Sequence, residues 1–286
     1  MSELFDGEFL KKLQQLVIAS KIILADGSGG NRKSRSKGSS VEFSDYREYA
    51  AGDDFRRVDW NAYGRFEKLF IKLFMEERES PVNIFIDTSK SMDWGEPNKN
   101  TASRRLAAAL AYISLANYDR VSLFCLSNSA EKVKPAMRGK YSFGEVLDFL
   151  ENVEYKGPTD LYEAMRSSGL KAARGISILI SDLFSPGELV DVIKYLAYRK
   201  QDIHLCHILA PQEIDPEINE SLRLVDIETG DFRDVTATPL LIKTYRKVFN
   251  SFISSIEENC HKYGVNYMRF ESSMPVEQMI KAVVAS

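Results

Sequence analysis

The chain has 286 residues, 44% hydrophobic and 28% charged, enough for one large α/β domain with additions or for two modest domains. Its 38 basic and 41 acidic residues leave a net charge of −3, which supplies no long-range attraction to nucleic acid or to an anionic membrane. Three scattered cysteines, Cys125, Cys206 and Cys260, exclude a disulfide framework, and with no C-x-x-C pair they argue against structural zinc.

The opening Met1 to Asp6 lacks a cationic stretch followed by an apolar core, so no secretory leader is expected. No apolar run approaches the roughly 20 residues that span a bilayer. The expectation is a soluble, cytoplasmic protein in a reducing compartment.

Phe9 to Leu24 carries Leu10, Leu13, Val17, Ile18 and Ile22 at helical spacing. A Gly-, Ser- and Arg/Lys-rich stretch follows, Gly27 to Ser40. It is not a phosphate loop, because Lys33 follows Arg32 instead of glycine and no buried strand precedes it. Its basic residues Arg32, Lys33, Arg35 and Lys37 read as a solvated loop. Val41 to Arg65 is charged and aromatic-rich, and Lys68 to Met75 alternates like a strand.

From Pro81 onward, apolar runs of strand length alternate with segments of helical period. The strand candidates are Val82 to Ile86, Val121 to Ser127, Ile176 to Ile180 and Ile203 to Leu209. Ser103 to Asn117 and Glu188 to Tyr198 are helical between them. Near-continuous hydrophobicity in the strands predicts a sheet covered on both faces. Leu222 to Thr236 reads as a hairpin turning at Glu228-Thr229-Gly230-Asp231. Leu241 to Cys260 forms a long amphipathic helix ending near Gly264. A further strand over Val265 to Phe270 and a closing helix over Val276 to Val284 complete the chain. The fold class expected is α/β, Rossmann-like, with a mainly parallel sheet flanked by helices. Residues 1–80 form an N-terminal helix, basic loop and β extension, and 81–286 the main domain with a hairpin insertion near 222–237.

Asp87-Thr88-Ser89-Lys90-Ser91 directly follows the strand Val82 to Ile86, where open parallel sheets bind ligands. It offers a carboxylate and two hydroxyls at i, i+2 and i+4. Thr159 precedes the helix from Leu161, and Asp182 follows the strand ending at Ile180. An all-oxygen set favours Mg2+, or Mn2+ or Ca2+, over zinc or copper. Two carboxylates leave such an ion electron-poor and open to an outside anionic oxygen. The same serines can instead cap a helix at a strand-to-helix turn, and Thr159 can cap the helix that follows it. Asp160 is the better cap, which leaves the threonine a separate role.

Asp-x-Ser-x-Ser, then Thr, then Asp after a later strand resembles the metal-ion-dependent adhesion site of von Willebrand factor A domains, with Asp87, Ser89, Ser91, Thr159 and Asp182 at its five positions. The resemblance implies a metal whose vacant position takes a partner's Glu or Asp. A second likeness lies in Glu42-Phe43, Asp45-Tyr46-Arg47-Glu48-Tyr49, Gly52-Asp53-Asp54, Arg57 and Asp59-Trp60, supported by Phe74 to Arg78 and Asp226 to Gly230. This run resembles the bacterial family catalogued as domain of unknown function 58. Membership implies a von Willebrand A-like fold and partnership with a MoxR-type AAA+ ATPase in assembly or maturation of other proteins.

Arg47, Asp53, Asp54, Arg57 and Asp59 admit two readings, a structural ion-pair network or a partner surface, with Trp60 expected as a packing anchor. His204 and His207 fall on opposite strand faces and, with His261, make no shared site. The function expected is a metal-dependent protein-interaction module and not an enzyme. A magnesium-dependent phosphoryl-transfer enzyme is the first alternative, but an aspartate nucleophile needs a second Asp two residues on, where Ser89 stands. A nucleic-acid-associated protein is the second, opposed by the net charge and the lack of a basic-aromatic stripe.

Overall fold

The computed structural model describes residues 3–15, 37–50, 53–75, 81–127, 132–170, 174–185, 189–216, 221–227, 230–236 and 238–285. The basic loop ahead of residue 37 and the turn residues Glu228 and Thr229 lie outside these. The chain forms two compact units, Met1–Lys21 with Ser80–Ser286, and Ile22–Glu79.

Helix α1, residues 7–15 among those described, is capped by the Asp6 carboxylate, which accepts from the Phe9 amide at 2.7 Å. Phe5, Phe9 and Leu13 are buried in the same apolar cluster as Leu106 and Leu110. Arg105 secures the segment by donating from Nε to the Leu4 carbonyl at 2.9 Å, with its guanidinium 5.9 Å over the Phe9 ring. The two compact units group the N-terminal segment with the larger unit, a different division from a single boundary at residue 80. Among the described residues, Phe5, Phe9 and Leu13 are buried in the core of the larger unit.

In the smaller unit, strand β1 (Lys37–Glu48) pairs antiparallel with β2 (Phe70–Met75), and helix α2 (Trp60–Phe66) lies between them in sequence. Arg47 Nη2 grips both oxygens of Asp53, at 2.7 and 2.8 Å, and Asp53 also accepts from the Ala50 amide. Asp54 caps the turn Phe55–Arg57, and Asp59 caps α2 through the amides of Asn61 and Ala62. Tyr46 donates its hydroxyl to the other Asp59 oxygen at 2.9 Å. These are local ties of one ion pair and two caps; the Arg57 side chain lies outside the described residues. Trp60 is no packing anchor. It is 60% exposed on a helix that buries none of its residues, and meets Tyr63 edge-on.

The larger unit is built on β3 (Pro81–Asp87), α3 (Lys99–Ala116), β4 (Arg120–Leu126), β5 (Lys132–Met137), α4 (Phe143–Glu151), α5 (Leu161–Ser167) and β6 (Gly175–Ser181). It continues with α6 (Leu189–Tyr198), β7 (Gln201–Leu209), α7 (Pro211–Ile214), the hairpin β8 (Ser221–Val225) and β9 (Phe232–Thr236), α8 (Pro239–Tyr263), β10 (Asn266–Glu271) and α9 (Val276–Ala285). One sheet has the order β10-β7-β6-β3-β4-β5, parallel except for β5 at its edge. Pro135 suits that edge, since proline gives no donor to a second neighbour.

Alternation sends Val82, Ile84 and Ile86 of β3 into a cluster with α3, α4 and α9, while Phe85 enters a second with α5, α6 and α8. Both faces of the central strands are thus dry, as the apolar runs predict. The expected mainly parallel sheet flanked by helices is the architecture found. From β3 the chain turns to β4 on one side, and from β6 to β7 on the other. The crevice between β3 and β6 is therefore a topological switch point, open at the strands' carboxyl ends. Among the described residues no helix is long and apolar enough to cross a membrane, and all three cysteines are buried and free.

Two stability predictions follow from the packing. Phe85 is fully buried and stacks on Phe124 with ring centroids 4.6 Å apart, so Phe85→Ala is expected to cost about 3–5 kcal/mol in urea unfolding. Phe9→Ala is expected to cost about 3 kcal/mol in the same assay. A change below roughly 0.5 kcal/mol, the range of surface substitutions, would show that α1 is not part of the core.

Candidate functional site

Asp87 closes β3 and is buried. One carboxylate oxygen accepts the Ser89 amide at 2.9 Å and the other accepts the Ser181 hydroxyl at 2.6 Å. Ser181 ends β6, the parallel neighbour of β3, so this bond ties the two strand ends across the crevice. Burial first, then the nearby Asp182 charge, push the Asp87 carboxyl up to about 7, against hydrogen bonds from Ser181 and Ser89 that favour the anion. The position is short of positive charge.

Ser89 begins the turn Lys90–Met92 but makes no side-chain capping bond there. Its hydroxyl lies instead 2.9 Å from that of Ser91. The capping role open to the first serine is thus not the one it adopts. Thr159 is buried, and its hydroxyl points to the Leu126 carbonyl at the end of β4, at 3.4 Å. Two backbone bonds clip its loop to the Asp87 loop: the Lys90 amide donates to Gly157 at 2.8 Å, and the Lys156 amide to Thr88 at 3.1 Å. Asp160 caps α5 by accepting the Glu163 amide, as its propensity predicts.

Asp182 lies just past β6 and is fully buried. Leu183 adopts a left-handed backbone at φ 59°, uncommon for a leucine, and the turn lets the Phe184 amide donate to Asp182 Oδ1 at 3.2 Å. Asp182 Oδ2 accepts from the Lys99 ammonium at 2.7 Å. Lys99 is the first residue of α3, with a side chain 0% exposed, and it also donates to Glu213 Oε1 at 2.5 Å. Glu213 in turn accepts the Ala210 amide at 2.7 Å. The rings of Trp94 and Phe184 stand within 6 Å of the ammonium.

His207 supports the same strand end. Burial holds its ring well below the usual imidazole range, down to about 4, so it is neutral. A neutral ring has one donor, and Nε2 lies 2.9 Å from the Asp182 carbonyl, so that nitrogen carries the proton. Nδ1 then accepts from the Tyr267 hydroxyl at 2.9 Å. His207 is thus a brace at the crevice and more than an ordinary sheet residue.

Asp87, Ser89, Ser91, the Thr159 loop and Asp182 are drawn to one end of one sheet. Asp182 is already engaged by Lys99, a partner that sequence reasoning missed along with Glu213. Lysines are almost always solvated, and Lys99 and Glu213 are 114 residues apart, so no local signal announces them. The sequence sets Ser181 beside Asp182 at an oxygen-rich strand end, and the structure gives it the bond to Asp87. Among the described residues no group of three His, Cys, Asp or Glu side chains converges, so an ion here would depend on hydroxyl oxygens as well. The serine pair fits that role. Ligands about 2.1 Å from Mg2+ at right angles are about 3.0 Å apart, close to the 2.9 Å between the two hydroxyls.

Comparison with known proteins agrees with the sequence signature. Uncharacterised proteins of Mycobacterium tuberculosis and Mycobacterium bovis are 23% identical over 214 residues, 71% of this chain. The chain spans 66% of the length of these curated relatives. Among solved structures, the conserved hypothetical protein BatB from Bacteroides thetaiotaomicron matches at 15% identity and a TM-score of 0.45, over 72% of this chain and 98% of that one. The SpRpn10 VWA domain matches at 12% identity and a TM-score of 0.42, over 73% of this chain and 96% of that one. The model of the family described as protein of unknown function DUF58 matches residues 45–252. The chain belongs to the DUF58 family.

Proposed function

We propose that this chain is a protein-interaction module whose contact point is a divalent cation, Mg2+ or a close substitute, at the crevice between β3 and β6. The observation that carries the reading is the pair of hydroxyls of Ser89 and Ser91, 2.9 Å apart beside the buried Asp87. Ser89 and Ser91 would hold the ion directly, Asp87 and Thr159 would complete its inner or water-mediated shell, and Asp182 would act from outside. The ion would supply a hard Lewis acid with a position free for a carboxylate oxygen of a partner. Ser91 is only partly buried, which leaves that side approachable.

The chain's own groups prepare the place. Ser181 and the Ser89 amide orient Asp87, and two backbone bonds join the loop before Thr159 to the Asp87 loop, which supports the reading. The shortage of positive charge at Asp87 supports a cation there. The partner implied by the family resemblance is a MoxR-type AAA+ ATPase or a client protein, offering a Glu or Asp. Buried free cysteines suit a reducing compartment, and the cytoplasm is proposed on that ground. The phosphoryl-transfer alternative is disfavoured because the residue two beyond Asp87 is Ser89, no acid at neutral pH.

Titration calorimetry on the full chain should detect one Mn2+ or Mg2+ site. The double change Ser89→Ala with Ser91→Ala should weaken it about tenfold or more, with an unchanged circular dichroism spectrum. Equal affinity in the double variant would remove the serines from the site. Capture of a MoxR-type ATPase should be lost in EDTA and in Asp87→Asn. Capture that survives both treatments would mean that no metal bridges the partners.

A further inference from the structure

The buried triad Asp182–Lys99–Glu213 places a fixed ammonium at the edge of the crevice, on the carboxylate that the metal reading assigns to the ion. We propose that Lys99, anchored by Glu213, is a tethered cation that holds Asp182 outside the metal's inner shell and weakens the resting site for a dication. The inference rests on the metal reading and deepens it, since it concerns how tightly the same site binds.

The geometry carries the argument. Both Lys99 contacts are short, 2.7 Å to Asp182 Oδ2 and 2.5 Å to Glu213 Oε1, and the side chain is fully buried. An ammonium in a water-poor position interacts strongly with neighbouring charge, because little solvent screens it. Asp182 has one oxygen on the ammonium and the other on the Phe184 amide. For that carboxylate to bind an ion directly, it must use a second lone pair of an oxygen already held, with the dication drawn close to the ammonium. Glu213 fixes the ammonium from the far side, and its second oxygen is held by the Ala210 amide, so the lysine cannot swing away without leaving a buried carboxylate unpaired.

The charge count gives the consequence. The triad itself holds two carboxylates, Asp182 and Glu213, against one ammonium, Lys99. A dication entering beside the triad must sit near a fixed positive charge, which opposes it. A partner carboxylate arriving on the ion adds attraction to both cations. Metal and carboxylate should therefore bind with positive coupling, each tightening the other. Glu213 is a positioning residue here, acting through Lys99.

The test is Mn2+ affinity by calorimetry on the full chain, with and without acetate as the carboxylate probe. Removing the ammonium while keeping the local charge sum, in Lys99→Met with Glu213→Gln, should tighten Mn2+ about tenfold and reduce the gain from acetate. Glu213→Gln alone leaves the ammonium facing Asp182 without its counter-charge, and should weaken Mn2+ by about threefold or more. A purely structural pair would not shift affinity in opposite directions in two variants. If Lys99→Met with Glu213→Gln does not fold, Glu213→Gln and the acetate dependence of the natural protein decide. Equal Mn2+ affinity in Glu213→Gln and no acetate coupling overturn the tethered cation while leaving the metal site standing. Absence of Mn2+ binding in every variant overturns both.

Discussion

Two carboxylates buried at adjacent strand ends are the constraint on which this structure turns. Burying an ionised carboxylate costs several kcal/mol unless hydrogen bonds and opposite charge offset it. The chain meets that cost differently at the two positions. Asp87 is satisfied by an amide of its own loop and a hydroxyl from the next strand. Asp182 is satisfied by an ammonium from the first residue of α3. The first solution leaves a carboxylate with no cation against it, and the second supplies one from the protein. That asymmetry divides the roles proposed for the two residues.

The parallel sheet makes the arrangement possible. Placing β3 beside β6 brings residues more than 90 positions apart into register, with Ile86 opposite Ile180 and Asp87 bonded to Ser181. The helices on both faces keep the crevice dry except at its mouth, where the Ser89 and Ser91 turn lies. His207 and Tyr267, from the neighbouring strands β7 and β10, brace the Asp182 carbonyl from behind. The hydroxyl-rich loop is held by backbone bonds to its neighbour and by the Thr88 hydroxyl on the Leu126 carbonyl, while the Ser89 and Ser91 hydroxyls bond each other. A loop built this way can present side-chain oxygens to something else.

Much of this was legible in the sequence because the central strands are buried on both faces and therefore read as unbroken apolar runs. The helix ending at Gly264, the hairpin and the strand-end aspartates all follow from local pattern, and Gly264 does take the left-handed cap at φ 66°. What escaped was short or amphiphilic. Strand β5 reads Lys-Val-Lys-Pro-Ala-Met, with a proline and two lysines, and becomes a strand because it has only one neighbour to satisfy. Helix α4 is a nine-residue stretch without a strong start signal. Trp60 suggested packing by its size, yet it is exposed on a helix that buries none of its residues. In the candidate site, the oxygen donors were legible because spacing along two strands fixes them. Lys99 and Glu213 were not, since their meeting depends on the path of α3 and α7 over the sheet.

The central claim is that Ser89 and Ser91 share one hard cation. Anomalous diffraction at the manganese edge, from crystals soaked in Mn2+, tests it without reference to any partner. The account predicts a single strong peak within bonding distance of both serine hydroxyls, with the Lys99–Asp182 contact still closed beside it. No peak at that position, or a peak bound to other side chains while this crevice holds only water, would contradict it.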